Sequence, residues 1–300
     1  MAAEPVGGLA HDTRPAASVP PLAVDHVTLR YPTDAGTVTA VEDVSFTIGA
    51  GERLALLGPS GCGKSTLLRA VGGFLRPSSG AIRLHGAPVR GPGPDRMVVF
   101  QEFDQLLPWR TVAGNIAFAL RKARGLGRAD AWERARHWAG RVGLGAFADA
   151  YPHTLSGGMK QRCAIARAFA VQPAILLMDE PFAALDALSR RRMQDELLAL
   201  CEETGATCLF VTHAIDEALH VGTRVLVMTP HPGRIGAEYV VPDAARRRGT
   251  PEFGRFETEI QQRIFGAARP ADAGEDGGPD LRDGPAAIRV PQRREAPLHV

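Results

Sequence analysis

The spacing of apolar and polar residues divides the chain into stretches of different period. Near the start, "AVDHVTLRY" (23–31) and "VEDVSFTI" (41–48) alternate with a period of two, and "ERLALLG" (52–58) follows; all three predict strands. In "KSTLLRAVGGFL" (64–75) the apolar positions take helical spacing, and short strand-like pieces return in "GAIRLHG" (80–86) and "RMVVFQ" (96–101). From about 111 to 171 the pattern is helical, in "TVAGNIAFALRKARG", "DAWERARHWAGRVG" and "MKQRCAIARAFAV". The last stretch interleaves apolar short strands, "AILLMDE", "TCLFVTH" and "RVLVM", with the helical segments "ALSRRRMQDELLALCEETG" and "AIDEALHVG". Fully apolar strands alternating with helices predict an α/β protein with a parallel sheet.

The two ends read differently. Residues 1–20 and 267–300 are rich in Ala, Pro, Gly and charge with few large apolar residues, which predicts a disordered arm and a disordered tail. Just before the tail, "EFGRFETEIQQRIF" (252–265) predicts one more amphipathic helix, within a helical extension over 246–266.

Composition adds limits. At 300 residues, 45% apolar and 23% charged, the chain can bury a sizeable core in one or two domains. A net charge of +2 gives no argument for nucleic acid or for a membrane surface. Cys62, Cys163, Cys201 and Cys208 lack metal-ligand spacing, and the start lacks the basic and apolar segments of a secretion signal, so reduced thiols in a cytosolic protein are expected. No apolar run approaches the ~20 residues of a membrane span.

One stretch changes the picture. "GPSGCGKST" comprises Gly58, Pro59, Ser60, Gly61, Cys62, Gly63, Lys64, Ser65 and Thr66, between a strand-like and a helix-like run. Glycines let a backbone curl with its N–H groups inward, and the following helix aims its positive end at the same point. Lys64 has a compact charge on a flexible stem that reaches β- and γ-phosphate oxygens, and Ser65 offers an oxygen to Mg²⁺. This is the chemistry of a nucleoside triphosphate site. Downstream, "ILLMDEP" (175–181) sets Asp179 and Glu180 at the C-terminal end of a buried strand, where open α/β sheets bind ligands. Neighbouring residues on a strand face different ways, so Asp179 is assigned to the Mg²⁺ shell and Glu180 to an attacking water. "LSGGMKQR" (155–162) opens a helix with Ser156 as its N-cap and Gly157 and Gly158 beside it, a second anion-binding turn.

These motifs, followed by "ALD" (184–186) and a strand ending "VTH" (211–213), resemble in kind and order the ATP-binding subunit of an ABC transporter. The likeness runs from about 22 to 240. It implies a P-loop NTPase of ABC ATPase type over 21–245, with an antiparallel β subdomain and a helical signature subdomain at about 102–160. It further implies ATP and Mg²⁺ as cofactors and a head-to-tail homodimer. In that dimer Ser156, Gly157 and Gly158 of one copy would hold the γ-phosphate at the partner's Lys64. By the same resemblance Gln101 would touch Mg²⁺ and the water, and Asp186 would cross the dimer interface. His213 would contact the γ-phosphate and orient Glu180, and Tyr31 would stack on adenine.

Within the family, "EFDQLLPWRTVAGNI", "TPHPGRI" and the Met159–Lys160 form of the signature resemble the nitrate/sulfonate/taurine group of importer ATPases. That implies a peripheral subunit on the cytoplasmic face of the membrane. A separate integral permease would partner it, and a solute-binding protein would act indirectly. Leu106, Leu107 and Trp109 are expected to be exposed near Gln101. Other readings are a thiamine-precursor or polyamine importer, or a soluble ABC ATPase acting on DNA or ribosomes. The second lacks the paired modules or long insertion usual there; a P-loop kinase would leave "LSGGMKQR" without a role.

Overall fold

The computed structural model describes residues 19–33, 36–101, 105–183 and 185–265. The arm and tail expected at the two ends lie outside these, save for residues 19 and 20, as do residues 102–104 at the start of the expected helical arm.

Two sheets form. The alternating N-terminal runs become β1 (Leu22–Thr33) and β2 (Gly36–Ile48), which pair antiparallel. With β4 (Ser79–Leu84) and the short β5 (Ala87–Pro88) they make a four-stranded sheet ordered β2-β1-β4-β5. The second sheet contains β3 (Arg53–Leu57), β6 (Arg96–Val99), β7 (Ile175–Asp179), β8 (Cys208–Thr212), β9 (Arg224–Thr229) and β10 (Arg234–Val240). Its order is β10-β9-β3-β8-β7-β6; all its pairings are parallel except β10 against β9. Every residue of β3, β7 and β8 is buried, which is why these strands read as unbroken apolar runs.

Helices α1 (Lys64–Val71), α2 (Val112–Arg124), α3 (Arg128–Arg141), α4 (Gly157–Val171), α5 (Ala187–Thr204), α6 (Ile215–Val221) and α7 (Pro251–Phe265) complete the fold. Strand β3 shows how the layers meet. Leu54 and Leu56 enter a core shared with the antiparallel sheet and α1, through Val24, Val27, Leu67 and Leu68. Ala55 and Leu57 point the other way, into a core built on α2–α6. The period of two thus serves two cores at once. On α7, Phe253 and Ile260 are buried, and Phe256 meets Tyr239 of β10 edge-on with ring centroids 6.5 Å apart. No helix among the described residues is long and apolar enough to cross a membrane.

The expected exposure around Gln101 is corrected in part. Trp109 is 69% exposed, but Leu106 is buried in the helical core and Leu107 is half-buried. The fully buried Asn115 of α2 explains the fold-back: its Oδ1 accepts from Leu107 N–H at 2.8 Å and its Nδ2 donates to Leu107 O at 3.2 Å. A buried amide satisfied by loop backbone pins that loop inward.

Because β3, β7 and β8 are parallel neighbours, their C-terminal ends share one edge of the sheet. The phosphate-type loop, Asp179–Glu180 and His213 leave from that edge.

Candidate nucleotide site

The loop after β3 turns at Gly61 and Gly63, which both have positive φ. Gly63 precedes α1, and a Cβ there would lie 2.7 Å from Ala40 O, so only glycine lets the loop sit against β2. Lys64 Nζ donates to Gly58 O at 2.8 Å and Pro59 O at 3.0 Å, and the residue is 5% exposed. Its ammonium is thereby held over the loop whose N–H groups an anion would meet. A cavity of about 330 Å³ opens here, lined by Ser60, Gly61, Gly63, Lys64, Ser65 and Thr66 together with Tyr31, Glu180 and His231. Cys62 is fully buried, with Sγ 3.8 Å from Lys64 Nζ; burial pushes its thiol up, against the pull of that charge.

The acidic pair divides at the end of β7, with Asp179 as its last residue and Glu180 just beyond it. Asp179 accepts a hydrogen bond from Ser65 Oγ at 2.7 Å. Burial raises its pKa above the usual 3.8, opposed by that bond and by the charges of Arg69 and Lys64. Two oxygens held this way suit Mg²⁺, which binds oxygen and keeps most of its waters. Glu180 stands at φ 45°, its N–H donating to Val211 O at 3.0 Å, and its Oε2 lies 3.2 Å from His213 Nδ1. The left-handed backbone turns Glu180 away from Asp179 toward the loop after β8. Gln101 is exposed and lines an adjoining cavity with Arg69, Phe74, Phe100 and Asp179. Asp179 lines this cavity and not the Lys64 cavity, and its bond to Ser65 links the two.

The signature turn stands apart. Ser156 caps α4, its Oγ accepting from Met159 N–H at 3.3 Å, and none of Ser156, Gly157 and Gly158 lines the Lys64 cavity. Asp186 is exposed and caps α5, accepting from Leu188 N–H at 3.1 Å and Ser189 N–H at 3.0 Å. Hydrogen bonds from Ser189 lead the causes that hold its carboxyl below the usual range.

His231 was not anticipated at this site. The turn after β9 reaches back across the fold: Gly233 N–H donates to Ala40 O at 3.0 Å, and Gly233 O accepts from Glu42 N–H at 2.9 Å. A Cβ on Gly233 would lie 2.0 Å from Cys62 O. This close packing of "HPG" on β2 and the phosphate loop puts His231 in the same cavity as Tyr31. The sequence signals a turn there through Pro-Gly, but nothing local says what the turn packs against.

Comparison with known proteins agrees with this geometry. The family model described as ABC transporter matches residues 41–183. Taurine import ATP-binding protein TauB of Rhizobium johnstonii is 46% identical over 250 residues, 80% of this chain and 95% of that one. Nitrate import ATP-binding protein NrtD of Synechococcus elongatus is 44% identical over 251 residues, 81% of this chain and 91% of that one. A dimeric structure of MJ0796, a bacterial ABC transporter cassette, superposes with a TM-score of 0.66 at 31% identity, covering 74% of this chain and 99% of that one. The same cassette bound to ADP and Pi, in a dimeric post-hydrolysis state, gives a TM-score of 0.65 at 30% identity. This chain belongs to the ABC transporter family, and it is an ATP-binding, ATP-hydrolysing member of it.

Proposed function

We propose that the chain is the ATPase subunit of an importer for a small anionic solute of the nitrate, alkanesulfonate or taurine type. It works as a head-to-tail dimer at the cytoplasmic face of the membrane, on a separate permease. The solute class rests on likeness to TauB and NrtD. For the chemistry, the observation that carries most weight is the gathering of Lys64, Ser65 and Glu180 around one cavity, with Asp179 hydrogen-bonded to Ser65 and His213 Nδ1 3.2 Å from Glu180 Oε2.

In this reading the loop N–H groups and Lys64 bind the β- and γ-phosphates, and Tyr31 stacks on adenine. Ser65 and Asp179 would hold Mg²⁺, with Gln101 reaching the same ion from the next cavity; when bound, Mg²⁺ neutralises phosphate charge. Glu180 orients a water and takes its proton as the water oxygen bonds to Pγ and the bond from Pγ to the bridging oxygen of ADP breaks. His213 holds Glu180 in place and faces the γ-phosphate. The partner's signature turn supplies the N–H groups that Ser156, Gly157 and Gly158 expose, which stabilise charge on the transferring group. Asp186 stands at the subunit boundary. Capped, unshared helix starts such as that of α4 are what a site completed by a second copy requires.

The test has two parts. Glu180→Gln should leave ATP binding intact and lower phosphate release by roughly a hundredfold or more. Purification of the tagged chain from its own cells in mild detergent should recover a multi-span permease. Stimulation by its solute-binding protein loaded with taurine, an alkanesulfonate or nitrate then identifies the cargo. Recovery of ribosomal or DNA-repair proteins alone would overturn the transport reading and leave the ATPase in place.

A further inference from the structure

Beneath the catalytic edge lies a buried carboxylate that the scheme above does not use. Glu217, on α6, is 5% exposed. Its Oε2 accepts from Thr212 Oγ1 at 2.6 Å, and its Oε1 accepts from Gln194 Nε2 at 3.1 Å and lies 3.7 Å from Arg190 Nε. Each partner leads to a segment that matters. Thr212 ends β8 immediately before His213, and its Oγ1 also accepts from Ala214 N–H at 3.0 Å, so the residue bonds on both sides of the histidine. Arg190 reaches the turn between Glu180 and Asp186, with Nε donating to Phe182 O at 3.2 Å and Nη2 to Leu185 O at 3.0 Å. Gln194 continues the chain outward: its Oε1 accepts from Arg248 Nη2, ahead of α7.

We propose that Glu217 is a positioning residue for hydrolysis, clamping the His213 segment and the Glu180–Asp186 turn at a fixed separation. The inference rests on the roles given above to Glu180 and His213. A buried charge is costly unless its bonds are all made, and a fold keeps one where geometry must be exact to a fraction of an ångström. Two loops carrying the base and the residue that orients it are such a place, because a displacement of about 1 Å can cost a hundredfold in rate. Burial leads the causes that raise the Glu217 pKa above the usual 4.5, with Asp216 adding to it and Thr212, Arg190 and His213 opposing. Removing the charge therefore relieves a cost to folding while loosening the clamp. A merely structural residue would behave in the opposite way.

The experiment measures steady-state ATP hydrolysis and melting of the full chain for Glu217→Gln, Glu217→Ala, Thr212→Val, Arg190→Ala, the Thr212→Val/Arg190→Ala double variant, and His213→Ala. Glu217→Gln should lose about tenfold in kcat with KM for ATP within about twofold and no loss of melting temperature. Thr212 and Arg190 act through one carboxylate, so the double variant should be no slower than the slower single variant, within about twofold. Parental kcat in Glu217→Gln beside an inactive His213→Ala would overturn this proposal alone. So would single effects that multiply in the double variant, or a kcat loss that follows a fall in melting temperature. Parental turnover in His213→Ala would overturn the reading of the site and this proposal with it.

Discussion

Two glycine-containing turns in this molecule open helices, those of α1 and α4, and they are built differently. The loop before α1 is sunk between sheets: its lysine is 5% exposed, Gly63 abuts Ala40 O, and Gly233 is pressed on Cys62 O. The turn before α4 stands in the open, with an exposed Ser156 whose side chain, among the described residues, accepts along its own helix. A loop that must grip phosphate by itself is walled by its own chain. In the proposed dimer the second turn would meet phosphate on the other subunit, and a cap without walls leaves it accessible for that. The same glycine chemistry thus gives an enclosed cradle in one place and a bare surface in the other.

The strongest way to break this contrast is at the cradle. Lys64→Ala should remove both tight ATP binding and turnover, the latter by roughly a thousandfold, as measured by nucleotide binding and phosphate release. At the open turn the two readouts should separate. Ser156→Arg is expected to keep ATP binding by the isolated chain and lose turnover by roughly a hundredfold. Mixing it with Lys64→Ala should recover part of the lost activity, since a mixed dimer contains one composite site with both halves intact. Absence of any recovery would mean that the turn acts within its own chain. Smaller effects sharpen the picture of the cavity's outer wall. Tyr31→Ala and His231→Ala should each raise KM for ATP by roughly fivefold with little change in kcat, the scale of one lost ring contact. The smallest effect is a pH dependence. Since the folded-state pKa of Glu217 is raised above 4.5, its contribution to stability is present at low pH and is lost as pH rises through the folded value. The melting temperature of Glu217→Gln relative to the parent should therefore climb, by a few degrees at most, as pH is raised from the ordinary glutamate value through the folded one.

Legibility in the sequence followed the range of the interaction. The buried strands β3, β7 and β8 announced themselves as apolar runs, and the loop around Lys64 by residue types that one local chemistry demands. The cap at Ser156 was equally local. His231 and Glu217 were not visible, because each acquires its place from elements distant in the chain: His231 from the packing of Gly233 on β2, Glu217 from Gln194 and Arg190 on α5. Leu106 was misread for the same reason, since Asn115, nine positions on, and Arg167 of α4 hold its loop inward through the backbone of Leu107 and Gln105. A turn motif reports a change of direction without reporting its destination.

Trp109 carries a practical consequence. Of the chain's three tryptophans, Trp132 and Trp138 pack against the helical core, while Trp109 stands 69% exposed on the loop before α2. An indole in water emits to the red of one in an apolar shell and is open to collisional quenchers. The protein thus contains its own optical gauge at that corner. Any partner that covers it will shift the emission to the blue and shield it from acrylamide, and Trp109→Phe will silence the signal while leaving the two core indoles to report on folding.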